Sequence, residues 1–171
     1  YNWTNSEPIL FNCIFTGNSA EWGGGGLANQ SNNSVITACT FTDNLAGTGG
    51  GGMMNSSAET ILNSCSFRGN TAKFASAMWN INGSKPMINS CAFIANLSET
   101  KGGAIGNDSS ASRIRNSTFL NNSARNGSGG IDNIYSELTL TNCILWGNVA
   151  RLGQQIVLQS SSSVSIKNSN I

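Results

Sequence analysis

Apolar residues in this chain keep a fixed phase rather than gathering into runs. Phe15, Phe41, Phe67, Phe93, Phe119 and Leu145 stand 26 residues apart, and Ile171 falls where the next is due. Five positions before each stand Leu10, Ile36, Leu62, Ile88, Ile114, Leu140 and Ile166, and five after stand Ala20, Ala46, Ala72, Ser98, Ala124 and Ala150. Twelve positions after come Leu27, Met53, Trp79, Ile105, Ile131 and Val157, all expected to face an interior. Polar residues such as Thr40, Ser66 and Thr118 lie between them. Short alternating stretches of this kind predict strands, since helical spacing is nowhere sustained over the ~10–12 residues a helix needs.

A period of 26 with short strands and no helix predicts an all-β fold, a parallel β-helix (β-solenoid) of about six and a half coils with three short strands per coil. A propeller blade needs about 40 residues, and the spacing of a leucine-rich repeat is missing. Coils stacked at the ~4.8 Å strand spacing would form a rod roughly 30 Å long. Residues 1–171 read as one β-helix domain. Tyr1 and Ile171 both fall in mid-coil without a polar cap, so the expectation is a segment of a longer protein or a fibre subunit that stacks end to end.

In-register coils place like on like, so each phase becomes a ladder. Asn18, Asn44, Asn70, Asn96, Asn122 and Asn148 predict a structural Asn ladder at a corner, where Asn tolerates left-handed backbone. Cys13, Cys39, Cys65, Cys91 and Cys143 predict a second, of buried free thiols acting as small hydrophobes, with Ser117 and Ser169 in the same phase. A disulfide is disfavoured because side chains on stacked strands run parallel, and a metal site because such ligands do not converge. Gly24-Gly25-Gly26, Gly50-Gly51-Gly52, Gly102-Gly103 and Gly129-Gly130 mark another corner. Ser76-Ala77-Met78 and Gln154-Gln155-Ile156 break that pattern, so the third and sixth coils should turn differently.

Composition narrows the function. Charged residues make up 10 % of the chain, His is absent and the formal net charge is +1, which gives no footprint for nucleic acid. No apolar run approaches the ~18 residues of a membrane span. No cofactor is expected. The acids are Glu7, Glu21, Asp43, Glu59, Glu99, Asp108, Asp132 and Glu137, and only Asp108 and Asp132 fall close together on adjacent coils. Acid/base work on polysaccharides needs such a pair, but two solvated corner carboxylates are the plainer reading. Lys73, Glu99 and Arg125 share one phase and Glu59 and Lys85 another, as mixed-charge ladders would. Four sequons, beginning at Asn29, Asn55, Asn82 and Asn107, suggest a polar, exposed corner beyond the glycines.

Phe93-x-x-Asn96 followed by Gly102-Gly103-Ala104-Ile105 resembles the repeat of polymorphic outer membrane proteins. The stretch from Cys143 through Gln155-Ile156 resembles the last coils of bacterial secreted β-helix proteins of the same broad group. The resemblance implies right-handed coiling and a secreted, extracellular or cell-surface location. The expected function is a non-catalytic stalk, adhesin or filament module, with self-association into fibres and a cell-surface or glycan ligand as its partners. The alternative is a carbohydrate-binding or polysaccharide-degrading β-helix, lyase or hydrolase in kind.

Overall fold

Each repeat closes into one turn because left-handed residues recur at its corners. In the computed structural model, which describes residues 1–3 and 5–171, the chain makes about six turns of parallel strands with no helix among the described residues. The strands form four sheets of seven, six, five and six strands. Sheet I starts at Ile9–Phe11, sheet II at Ile14–Thr16, sheet III at Ser19–Ala20 and sheet IV at Leu27–Gln30. The expected three strands per coil are therefore four. A single left-handed residue is enough to bend one strand arm into two. Between sheets I and II that residue is Asn12, Ala38, Ser64, Ser90, Asn116, Asn142 or Asn168.

Between sheets II and III it is Gly17, Asp43, Gly69, Ala95, Asn121 or Gly147, with φ between 52° and 64°. The Asn18 phase lies one residue later, so its asparagines are not themselves the left-handed residues. At the glycine corner Gly50 has φ +65°, and a Cβ on Gly51 would stand 2.8 Å from the Ser76 carbonyl oxygen and 2.9 Å from that of Asn44. Both devices the glycines offer, positive φ and close approach, are in use there.

Register is kept coil to coil: Phe41 pairs with Phe67, and Phe67 with Phe93. The rings from Phe15 to Phe119 stack with centroids 4.6–5.0 Å apart and planes within 9°. That distance is the strand spacing itself. The core is this stack with Ile36, Leu62, Ile88, Ile114 and Leu140 on one side and Met53, Met78, Ile105 and Ile131 on the other.

Trp79 does not belong to that interior row. Met78 pairs with Met53 and Ile105, while Trp79 pairs with Met54 and Gly106 on the outer face of sheet IV. The cause is a one-residue slip. Phe74 pairs with both Gly49 and Lys101 across a register shift, so the third coil crosses from sheet III to sheet IV with one residue fewer. The phase is regained by Ile88, which pairs with Leu62. The sixth coil slips likewise, so Ile156 pairs with Ile131 and Val157 turns outward beside Asp132. These are the two coils whose glycine corners are broken.

Candidate functional site

The interior is a set of hydrogen-bonded ladders, and their repetition makes any departure conspicuous. In the first, Asn96 donates its amide N–H to the Phe67 carbonyl (3.1 Å) and to Asn122 Oδ1 (2.8 Å). Its own Oδ1 accepts from the Asn70 backbone N–H and from Asn70 Nδ2, both at 3.0 Å. The same pattern runs from Asn18 to Asn148.

A second amide ladder, missed in the sequence, joins Asn2, Asn29, Asn55, Asn80, Asn107 and Asn133 at 2.7–3.0 Å. Its asparagines from Asn29 to Asn133 are fully or almost fully buried. This overturns the exposed-corner reading of three sequons, because Asn29, Asn55 and Asn107 point into the rod. Asn82 alone of the four is exposed. The signal was available as an Asn two residues after Leu27, Met53, Met78, Ile105 and Ile131, the inward apolar residues of sheet IV before its last strand, but the third coil's slip disguised it. Leu158 stands in register after Asn133, which leaves Asn133 Nδ2 without a partner.

The cysteines are free, and Cys39, Cys65, Cys91 and Cys143 are buried. They do more than fill space. Cys91 Sγ donates to the Asn89 carbonyl (3.2 Å) and accepts from the Cys65 backbone N–H (3.4 Å). Ser117 performs both tasks with its hydroxyl, at 2.7 Å and 3.1 Å. Serine therefore substitutes for cysteine in this phase. Burial pushes the Cys39 and Cys143 thiols up, and Cys91 is raised first by its contact with the Cys65 side chain and then by burial. Among the described residues no group of His, Cys, Asp or Glu is arranged to hold a metal ion.

Departures gather on the outer face of sheet IV. One outward row there reads Ala28, Met54, Trp79, Gly106, Asp132 and Val157. Gly106, with no side chain, leaves a recess of about 160 Å³ between Trp79 and Asp132. Phe74, Ala75, Lys101, Asn107, Asp108 and Ile134 complete its walls, with Ala75 seated against Gly106, where a Cβ would stand 2.7 Å from Ala75 Cβ. Phe74 and Trp79 lie together, their ring centroids 6.4 Å apart. The indole leans over Gly49, where a Cβ would stand 2.6 Å from Trp79 Cε3.

Asp108 and Asp132 thus share one recess, but Asp132 is not the solvated corner carboxylate expected. It is 2 % exposed, and Gln159 Nε2 donates to its two oxygens at 3.0 Å and 3.3 Å. Burial pushes its pKa up, against the pull of Lys101, the Ser128 N–H and Gln159. Asp108 sits on the rim and accepts from the Ser109 hydroxyl at 3.0 Å. The arrangement offers an aromatic wall, one fixed acceptor, one rim acceptor and an ammonium.

The other charged phases make looser contacts. Glu59 and Lys85 form an exposed pair at 3.8 Å, and it is the only ion pair within 4.0 Å among the described residues. Lys73, Glu99 and Arg125 therefore share a phase without pairing. Lys73 instead stands 5.5 Å from the centre of the Phe74 ring.

A family model described as a right-handed beta helix region matches residues 2–171. Comparison with curated proteins and with solved structures gave no match.

Proposed function

Because the chain belongs to the right-handed β-helix family, we propose that it serves as a non-catalytic rod outside the cell or on its surface, a stalk, adhesin or filament module. The observation that carries this reading is the continuity of the interior. Two buried amide ladders and a phenylalanine stack run through successive coils with little variation, which suits a stiff spacer. A chain with 10 % charged residues and many surface amides and hydroxyls also fits an extracellular setting. The likeness of its Phe-x-x-Asn and Gly-Gly-Ala-Ile motifs to polymorphic outer membrane proteins supports the surface location.

Incubation with a panel of plant, bacterial and host polysaccharides, followed for new reducing ends and for unsaturated products, tests the non-catalytic part. The expected result is retention of the protein on some polysaccharides or cells with no product. Multiple turnover would overturn it. Sedimentation over a wide concentration range tests the filament version, which monomers throughout would eliminate. A second reading, a polysaccharide lyase or hydrolase, is favoured by Asp108 and Asp132 facing one recess. The raised pKa of Asp132 is the direction a general acid requires. Turnover abolished by Asp132→Asn would establish that reading.

A further inference from the structure

We propose that the recess at Gly106 is a binding site for a single uncharged pyranose ring, such as the terminal sugar of a glycan. The inference adds a ligand site to the rod reading and rests only on its non-catalytic, ligand-presenting part. Three departures from the repeat meet at this point: the slip that turns Trp79 outward, the missing side chain at Gly106, and a carboxylate at Asp132. Packing accounts for two of them in part, since a Cβ on Gly106 would stand 2.7 Å from Ala75 Cβ and Asp132 accepts from Ser128 and Gln159. It does not ask for an indole turned outward beside that carboxylate. Places where a regular sequence breaks its own rule without structural gain are where function is expected.

Size and spacing limit the ligand. Trp79 and Asp132 lie two strands apart on the same face, so their backbones are about 9–10 Å apart. A recess of about 160 Å³ falls below the ~300–1,000 Å³ of ordinary small-molecule pockets. One ring fits such a slot, and a chain of rings does not.

The chemistry fits a sugar in particular. A pyranose has one apolar face and a rim of hydroxyls that both donate and accept. Phe74 and Trp79 supply an apolar wall. Asp132 supplies an acceptor that Gln159 already holds in place, so little ordering is left for the ligand to impose. Lys101 lines the recess and forms no ion pair within 4.0 Å among the described residues, so its N–H groups can reach a hydroxyl. Two carboxylates against one ammonium leave the recess net negative, which disfavours uronates and sulfated sugars. A quaternary ammonium would suit the acids and aromatics but would meet the like charge of Lys101.

The test uses the whole chain and methyl glycosides of glucose, galactose, mannose and N-acetylglucosamine, with methyl glucuronide and tetramethylammonium beside them. Calorimetry and ligand-observed NMR read binding. Saturable millimolar binding of at least one neutral glycoside is expected, with at least a tenfold loss in both Trp79→Ala and Asp132→Asn. Circular dichroism confirms that each variant folds. If Trp79→Ala does not fold, the rim variants Asp108→Asn and Lys101→Met take its place with the same expectation. No binding of any neutral glycoside overturns the proposal, as does equal binding of the glucuronide, preferential binding of tetramethylammonium, or binding unchanged in the variants. Glycan retention that persists without binding at Gly106 would sink the recess alone and leave the rod reading standing.

Discussion

Replacing Asn96 by alanine measures what one rung of the buried amide ladder contributes. Four hydrogen bonds disappear, but not all leave an orphan. Asn70 Nδ2 keeps the Phe41 carbonyl at 2.9 Å, and Asn122 Oδ1 keeps the Asn96 backbone N–H at 3.0 Å. The Asn70 backbone N–H loses the partner Asn96 provided, while the Phe67 carbonyl loses one of its two bonds and keeps the ladder bond from the adjoining strand. One buried polar group left unpaired predicts a loss of about 1–3 kcal/mol. The control is Asn89→Ala, which removes one half-exposed amide bond of 3.2 Å to Asn63 and should cost about 1 kcal/mol or less. Urea unfolding followed by tryptophan fluorescence compares the two. If Asn96→Ala costs no more than Asn89→Ala, the amide ladder is decoration, and the account of how the coils are held is wrong.

Other outcomes follow from single residues. Cys91→Ser should be tolerated within about 1 kcal/mol, because Ser117 already makes both bonds in that phase, whereas Cys91→Val leaves the Cys65 N–H unpaired and should cost about 1–3 kcal/mol; thermal melts separate them, and equal effects would reduce the ladder to packing. In the native protein a maleimide should label half-buried Cys13 first, with the four buried thiols reacting only on unfolding, as mass spectrometry would read. Ala95 is exposed with φ 53°, a conformation that glycine adopts freely at Gly69 and Gly147, so Ala95→Gly should stabilise by about 0.5–1 kcal/mol and raise Tm by about 1–4 °C. Asp132 has its folded pKa above the unfolded 3.8, so its favourable contribution is complete below that value and is lost as pH rises through the folded pKa. The stability of Asp132→Asn relative to the parent should therefore grow between acid and neutral pH, and a difference that shrinks over that window would contradict the burial argument.

The 26-residue phase alone determined the fold class, the stacking of Phe on Phe and Asn on Asn, and the burial of every cysteine but the half-buried Cys13 of the first coil, because in-register strands convert a sequence period directly into contacts. It also marked the third and sixth coils as irregular. It did not say which way the irregularity turned. A one-residue slip exchanges the two faces of a strand, and only the pairing of Phe74 with Gly49 and Lys101 shows that the slip falls before Trp79. From that follow the outward Trp79, the recess at Gly106 and the second amide ladder through Asn80. Asp132 was legible as a neighbour of Asp108, but not as buried, since its shelter comes from Gln159 of the next coil and from residues of the crossing between sheets III and IV. Periodicity decides what every coil shares. Whatever distinguishes one coil from its neighbours depends on register and on contacts between different phases, and these exist only in the folded stack.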